Sequence, residues 1–156
     1  MRVLFMCTAN SCRSILSEAM FNHLAPEGFQ AVSSGSFPKG QVLPRSLTTL
    51  QEAGIGIEGL SSKGNDAFQD CPPDIVITVC GKAAGEACPV YFGPALKAHW
   101  GLEDPSEVQG DEAAVSAAFH STLSRIETRC RAFLALPFAQ LDRAALQREL
   151  DRISTL

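Results

Sequence analysis

Short apolar runs alternate with amphipathic stretches along the chain. Arg2-Val3-Leu4-Phe5-Met6 is a β-prone run ending at Cys7, and it predicts a buried strand. From Ser14 to Leu24, the residues Ile15, Ala19, Met20 and Leu24 recur at helical spacing, so a helix follows at once. Gln30 to Ser33 predicts a second strand. Pro44 opens a second helix, with Leu47, Leu50 and Ala53 on one face and Gly54 and Gly56 to stop it. After Pro72-Pro73-Asp74, the continuous β-branched stretch from Ile75 to Val79 reads as a buried parallel strand, and Ala95 to His99 as a fourth strand. Asp111 to Leu134 carries a long amphipathic helix with Val115, Phe119, Leu123, Ile126 and Cys130 in phase. Gln140 to Ile153 reads as a last, polar amphipathic helix to which the sequence attaches no function.

Strand alternating with helix implies βαβ units and a parallel sheet, an α/β fold in which ligands sit at the carboxyl ends of the strands. With 156 residues, 46% of them hydrophobic and 19% charged, the chain can bury the core of one ordinary domain. A net charge of −4 argues against a nucleic-acid partner, which would call for a basic face. The apolar runs are far short of a membrane span, and Val3 to Met6 is too short for a signal-peptide core. A soluble, cytoplasmic, monomeric protein is therefore expected. Six cysteines (Cys7, Cys12, Cys71, Cys80, Cys88 and Cys130) are many for such a protein, yet too few in too long a chain for a secreted disulfide scaffold. Their spacing does not suit structural zinc, and His23, His99 and His120 have no metal or triad spacing. No metal and no cofactor are expected.

The loops after the first and third predicted strands begin with Cys7 and Cys80. The first reads Cys7-Thr8-Ala9-Asn10-Ser11-Cys12-Arg13-Ser14. A cysteine and an arginine with five residues between them are weak as a bare pattern, but here a strand runs in and a helix runs out. That setting turns backbone N–H groups and the positive end of the helix into one concavity, and Arg13 adds a planar fork suited to a tetrahedral oxyanion. The same field is expected to lower the pKa of Cys7 and make it a thiolate nucleophile. Ser14 is placed to hydrogen-bond the Cys7 sulfur, and Asn10 to hold the loop's shape. The plain alternative is a buried strand-end cysteine and a surface arginine.

This loop resembles the phosphate-binding loop of the low-molecular-weight tyrosine phosphatase fold, a family of phosphatases and arsenate reductases that carries it at the extreme N-terminus. The resemblance implies a three-layer α/β sandwich with a four-stranded parallel sheet flanked by helices, here a catalytic domain over residues 1–138 with a C-terminal helical extension over 139–156. Oxyanion transfer needs a proton for the departing oxygen. Asp104, in His99-Trp100-Gly101-Leu102-Glu103-Asp104-Pro105, is the candidate acid, with Glu103 behind it. The phosphatases place an aromatic residue after Asp-Pro. Here Ser106 follows, and the upstream His-Trp-Gly resembles the arsenate-reductase branch. Trp100 is expected to pack beneath the acid loop.

The second loop, Val79-Cys80-Gly81-Lys82-Ala83-Ala84-Gly85-Glu86-Ala87-Cys88-Pro89, resembles the resolving pair of thioredoxin-coupled arsenate reductases, with a wider cysteine gap and more Gly and Ala. By that resemblance, arsenate (with phosphate or sulfate as mimics) sits on Thr8, Ala9, Asn10, Ser11, Cys12, Arg13 and Ser14. Cys7 attacks arsenic, Asp104 protonates the leaving oxygen, and the disulfide passes from Cys7–Cys80 to Cys80–Cys88. Thioredoxin is the implied reductant, glutathione with glutaredoxin the alternative, and weak phosphatase activity is expected from the same loop. Some family reductases bind potassium through Asn, Glu, Ser and Asp. Asn10, Glu18 and Ser33 match the first three, and Lys63 stands in place of Asp, so its ammonium is expected to replace the ion and pair with Glu18. Cys12 is assigned no redox step, and Cys71 and Cys130 are expected to pack. Two rivals remain: a tyrosine or small-molecule phosphatase with idle second-loop cysteines, and a non-catalytic oxyanion-binding or redox-sensing module.

Overall fold

Each predicted helix and strand forms, although the last helix starts at Arg143 rather than Gln140, because Asp142 caps it and Leu141 is extended. The computed structural model describes residues 1–81 and 93–156. In chain order these form β1 (Arg2–Cys7), α1 (Arg13–Leu24), β2 (Gln30–Gly35), α2 (Pro44–Glu52), β3 (Ile75–Thr78), β4 (Leu96–His99), α3 (Glu112–Leu134) and α4 (Arg143–Ile153). Pro44 occupies the first turn of α2, where its missing N–H costs nothing. Asp111 and Asp142 cap α3 and α4 by accepting from the N–H groups of Ala114 (2.9 Å) and Ala145 (2.7 Å). The second strand runs two residues beyond its predicted end at Ser33, because Ser34 and Gly35 go on pairing with Met6 and Cys7.

All strands of the sheet are parallel, in the order β2-β1-β3-β4. The four-stranded parallel sheet flanked by helices is the expected α/β architecture. From β1 the chain winds outward to β2 and then crosses back to lay β3 on the other side of β1. This reversal opens a crevice between neighbouring loops at the strands' carboxyl ends. The register sets Met6 opposite Thr78, so both strands finish at the same level.

Alternation along the strands divides the core. Val3, Phe5, Cys7, Ile75, Ile77 and Val79 join the larger buried cluster with residues of α1, α3 and α4. Leu4, Met6, Val76 and Ala95 form a smaller one, against which Val32 and Phe68 pack. Aromatic rings tie the larger cluster together. Phe133 of α3 lies 5.7 Å from Phe21, 6.2 Å from Trp100 and 5.1 Å from Phe138, centroid to centroid. Leu150 and Ile153 of α4 are buried in the same cluster, and the Trp100 indole donates to the Leu150 carbonyl at 3.0 Å. Among the described residues, no helix is long and apolar enough to cross a membrane.

Replacing Phe133 by Ala removes the ring where these packing contacts converge. The variant is expected to lose about 3–5 kcal/mol in denaturant-induced unfolding, the usual cost of deleting a buried aromatic side chain.

Candidate active site

The loop between β1 and α1 is held from outside through its carbonyl groups. The carbonyls of Cys7, Thr8, Ala9 and Ser11 accept from the N–H groups of Ser36 (3.3 Å), Phe37 (2.9 Å), Lys39 (2.9 Å) and Leu43 (3.0 Å). Hydroxyl groups of Ser62 and Ser46 add bonds to the carbonyls of Ala9 (3.0 Å) and Ser11 (3.2 Å). Because C=O and N–H point opposite ways across a trans peptide, tying these carbonyls outward turns the amides of Thr8, Ala9, Asn10 and Cys12 inward. The first turn of α1 contains no acidic residue, and its N-cap, Cys12, makes no side-chain capping bond. Helix dipole and orphan N–H groups thus remain directed at the concavity. Gly35 permits this close approach: a Cβ there would lie 2.4 Å from the Thr8 carbonyl oxygen and 2.9 Å from the Asn10 nitrogen.

Asn10 is the pivot of the loop. It takes a left-handed backbone (φ 48°), which Asn tolerates better than most residues. Its amide group donates to the hydroxyls of Ser14 (2.8 Å) and Ser33 (3.0 Å), and its carbonyl oxygen accepts from the Lys63 N–H (2.9 Å). Ser14, which the sequence directed at the Cys7 sulfur, instead engages Asn10 through this bond. Behind Asn10, the Ser33 hydroxyl donates to Glu18 at 2.6 Å, and the Lys63 ammonium stands 3.8 Å from the same carboxylate oxygen. That ammonium also donates to the Ser61 carbonyl at 2.7 Å. Burial raises the pKa of Glu18 and lowers that of Lys63, while each partner opposes the shift of the other. The fold therefore gathers Asn10, Glu18, Ser33 and Lys63 into one polar chain beneath the loop.

Cys7 and Cys80 meet at the ends of β1 and β3, both buried and hydrogen-bonded to each other. The Thr8 hydroxyl lies 3.5 Å from the Cys80 sulfur. The expected lowering of the Cys7 pKa is not what this arrangement produces. The hydrogen bond with Cys80 and then burial push it up, against the opposing pull of Arg13 and the Thr8 N–H. The positive field of the loop is outweighed here by the neighbouring Cys80 side chain and by burial, neither of which is visible in the local sequence. Burial likewise pushes Cys12 up to about 11 and Cys130 up to about 12. Cys71 is exposed.

Arg13 and Asp104 also come together. The Arg13 guanidinium donates to the Leu102 carbonyl at 3.1 Å and to Asp104 Oδ2 at 3.3 Å. Asp104 Oδ1 accepts from the N–H (2.9 Å) and hydroxyl (2.6 Å) of Ser106, so Asp104 caps the short turn that follows it. Cys88 lies outside the described residues. The supporting contacts of Gly35, Ser46 and Ser62 escaped the sequence reading. A glycine at the end of an apolar strand, in Ser34-Gly35-Ser36, was the one local signal for any of them.

Fold and loop together define an α/β protein built around an anion-binding nest at its topological switch point. Residues 2–151 match the low-molecular-weight phosphotyrosine protein phosphatase family, and the chain belongs to it. It is 31% identical over 131 residues to an arsenate reductase of Bacillus subtilis, covering 84% of this chain and 93% of that protein. A Bacillus licheniformis arsenate reductase is 32% identical over 131 residues, with the same coverage. Among solved structures, an arsenate reductase in the phosphate binding state superposes with a TM-score of 0.71 at 27% identity, over 86% of this chain and 96% of that one. A thioredoxin-dependent arsenate reductase of Corynebacterium glutamicum gives 0.63 at 26% identity, over 85% of this chain and 58% of that one.

Removing the Cys80 thiol takes away the largest influence raising the Cys7 pKa, so in Cys80→Ala the thiolate forms at lower pH. Each unit of that fall raises the Cys7 thiolate fraction near neutrality about tenfold. The pH profile of Cys7 alkylation by iodoacetamide, read on the Cys7 peptide by mass spectrometry, is expected to move to lower pH. An unmoved profile would show that Cys80 does not control this thiol.

Proposed function

We propose that the protein is an arsenate reductase working through a thiol–disulfide relay. The observation that carries this reading is the contact between Cys7 and Cys80 beside an anion-binding loop. A phosphatase needs one thiol, because water finishes its reaction, whereas a reductase must supply two electrons. The arsenate reductases among its relatives support the same choice over the phosphatase alternative.

On this reading, arsenate enters the loop as the dianion and is held by the inward amides, the α1 N-terminus and Arg13. Arg13 exchanges its bond with Asp104 for one with the oxyanion, which frees the carboxyl group to relay a proton. The Cys7 sulfur attacks arsenic. Its thiol proton and the substrate's hydroxyl leave as water, so the condensation needs no net proton. Cys80 then attacks the Cys7 sulfur. The S–As bond breaks, its electron pair stays on arsenic, and the Cys80 proton goes to an arsenite oxygen. Arsenic is reduced by two electrons as the two thiols become a Cys7–Cys80 disulfide. Cys88 is assigned the next step, attack on Cys80, which frees Cys7 and leaves Cys80–Cys88 for thioredoxin to reduce. Phosphate and sulfate occupy the same loop as mimics, and a slow phosphatase activity follows from it.

The first assay is arsenate-dependent NADPH oxidation with thioredoxin and thioredoxin reductase, each omitted in turn. Consumption is expected only with the full set. Cys80→Ser should abolish arsenate turnover while sparing aryl phosphate cleavage. Aryl phosphate cleavage without arsenate reduction under either thioredoxin or glutaredoxin would make the protein a phosphatase. Folded protein with neither activity would make it a binding module.

Lys63 is assigned the place of a bound potassium ion. Its ammonium already faces Glu18 and Ser33, and a second cation there would meet like charge at contact distance. Arsenate turnover is accordingly expected to be the same in potassium and in sodium chloride at equal ionic strength, and Lys63→Asp is expected to make it respond to potassium. Strong, potassium-specific stimulation of the unaltered protein would refute the assignment.

A further inference from the structure

Arg129 lies on α3 with 3% of its surface exposed. Its hydrogen bonds among the described residues all run to backbone carbonyls: Nη1 to Gly101 (3.0 Å), Nη2 to Ser154 (3.0 Å) and Nε to Leu156 (3.2 Å). Burial disfavours its charge, and Arg125 adds repulsion, so its pKa is lowered. A guanidinium kept in such a place is costly to desolvate, and each of its three nitrogens donates to a backbone carbonyl that fixes one local geometry.

That geometry adjoins the acid turn. The Gly101 carbonyl is bound by Arg129, and the next one, that of Leu102, is bound by Arg13 at 3.1 Å. Two guanidiniums from different helices thus hold consecutive peptide groups of the segment that leads to Asp104. The Leu102 N–H donates to the Val79 carbonyl at 3.0 Å, one residue before Cys80. Trp100 is anchored by its N–H to the Thr78 carbonyl (2.9 Å) and by its indole to Leu150 (3.0 Å). Gly101, between these anchors, has no side chain to fix its peptide plane. A Cβ there would come within 2.9 Å of His99 Nε2.

We propose that Arg129 is a positioning residue of the oxyanion site, holding the Gly101 carbonyl so that Leu102 aligns Arg13 and the turn presents Asp104. The inference rests on Asp104 as proton donor in the proposed reaction. It also gives the C-terminal turn a function: the carbonyls of Ser154 and Leu156 hold the other side of the Arg129 guanidinium.

The test compares Arg129→Gln and Arg129→Lys with the unaltered protein on phenyl phosphate and p-nitrophenyl phosphate, once thermal unfolding has confirmed that each variant is folded. Nitrophenolate departs without a proton, whereas phenolate needs one. Mispositioning of the acid is expected to cost Arg129→Gln about tenfold to a hundredfold more in kcat/KM on phenyl phosphate than on the nitro ester. Arg129→Lys should recover part of that difference, and Asp104→Asn should reproduce it. Equal losses on both esters, or none, would overturn the proposal. If Asp104→Asn lacks this selectivity, or the unaltered protein cleaves neither ester, it is the Asp104 or phosphatase reading that has failed. Arg129 is then judged by 15N resonances in Arg129→Gln: shifts at Leu102 and Arg13 Nε support it, and shifts confined to Ser154–Leu156 overturn it.

Discussion

The parallel pairing of β1 with β3 is the constraint on which the rest depends. With Met6 opposite Thr78 and the Val79 N–H bonded to the Met6 carbonyl at 3.0 Å, the two strands end at one level. Cys7 and Cys80, far apart in sequence, are thereby set side by side. A one-residue slip would also turn Val3 and Phe5 from one face of the sheet to the other, so burial of the larger cluster enforces the register. The aromatic core around Phe133 and the geometry of two thiols are consequences of the same pairing.

The anion-binding loop is shaped mainly from outside. Its carbonyls are taken up by the segment from Ser36 to Leu43 and by Ser62, and this determines which way its amides face. Behind it, Lys63 brings a positive charge to Glu18, so the polar chain through Ser33 and Asn10 carries its own counter-ion. The site therefore comes already furnished with dipoles and charges, and in the proposed reaction an arriving oxyanion has only to draw Arg13 from Asp104.

The two thiols alter each other's chemistry. Alone in that positive field, a cysteine would ionise easily. Beside Cys80 and buried, Cys7 keeps its proton more tightly. A thiol with a dianionic substrate holds the same atoms and charge as a thiolate with a monoanion, so the proton can be handed over within the complex. In the proposed relay, the adjacency that disfavours the free thiolate also puts Cys80 within reach of the Cys7 sulfur.

The elements were legible in the chain because apolar periodicity is a local property: the run from Arg2 to Met6, the helical spacing from Ile15 to Leu24, and the β-branched stretch from Ile75 to Val79. Local too was the setting of the first loop, since Cys7 ends a strand and Arg13 opens a helix. The pairing of Lys63 with Glu18 was anticipated by resemblance, and the geometry places them together. The protonation of Cys7, the redirection of Ser14 to Asn10, the Arg13–Asp104 pair and the reach of Arg129 to Gly101 were decided only in three dimensions. Each depends on groups from separate elements converging, and desolvation and hydrogen bonding act over a few ångströms of space, whatever the separation in sequence.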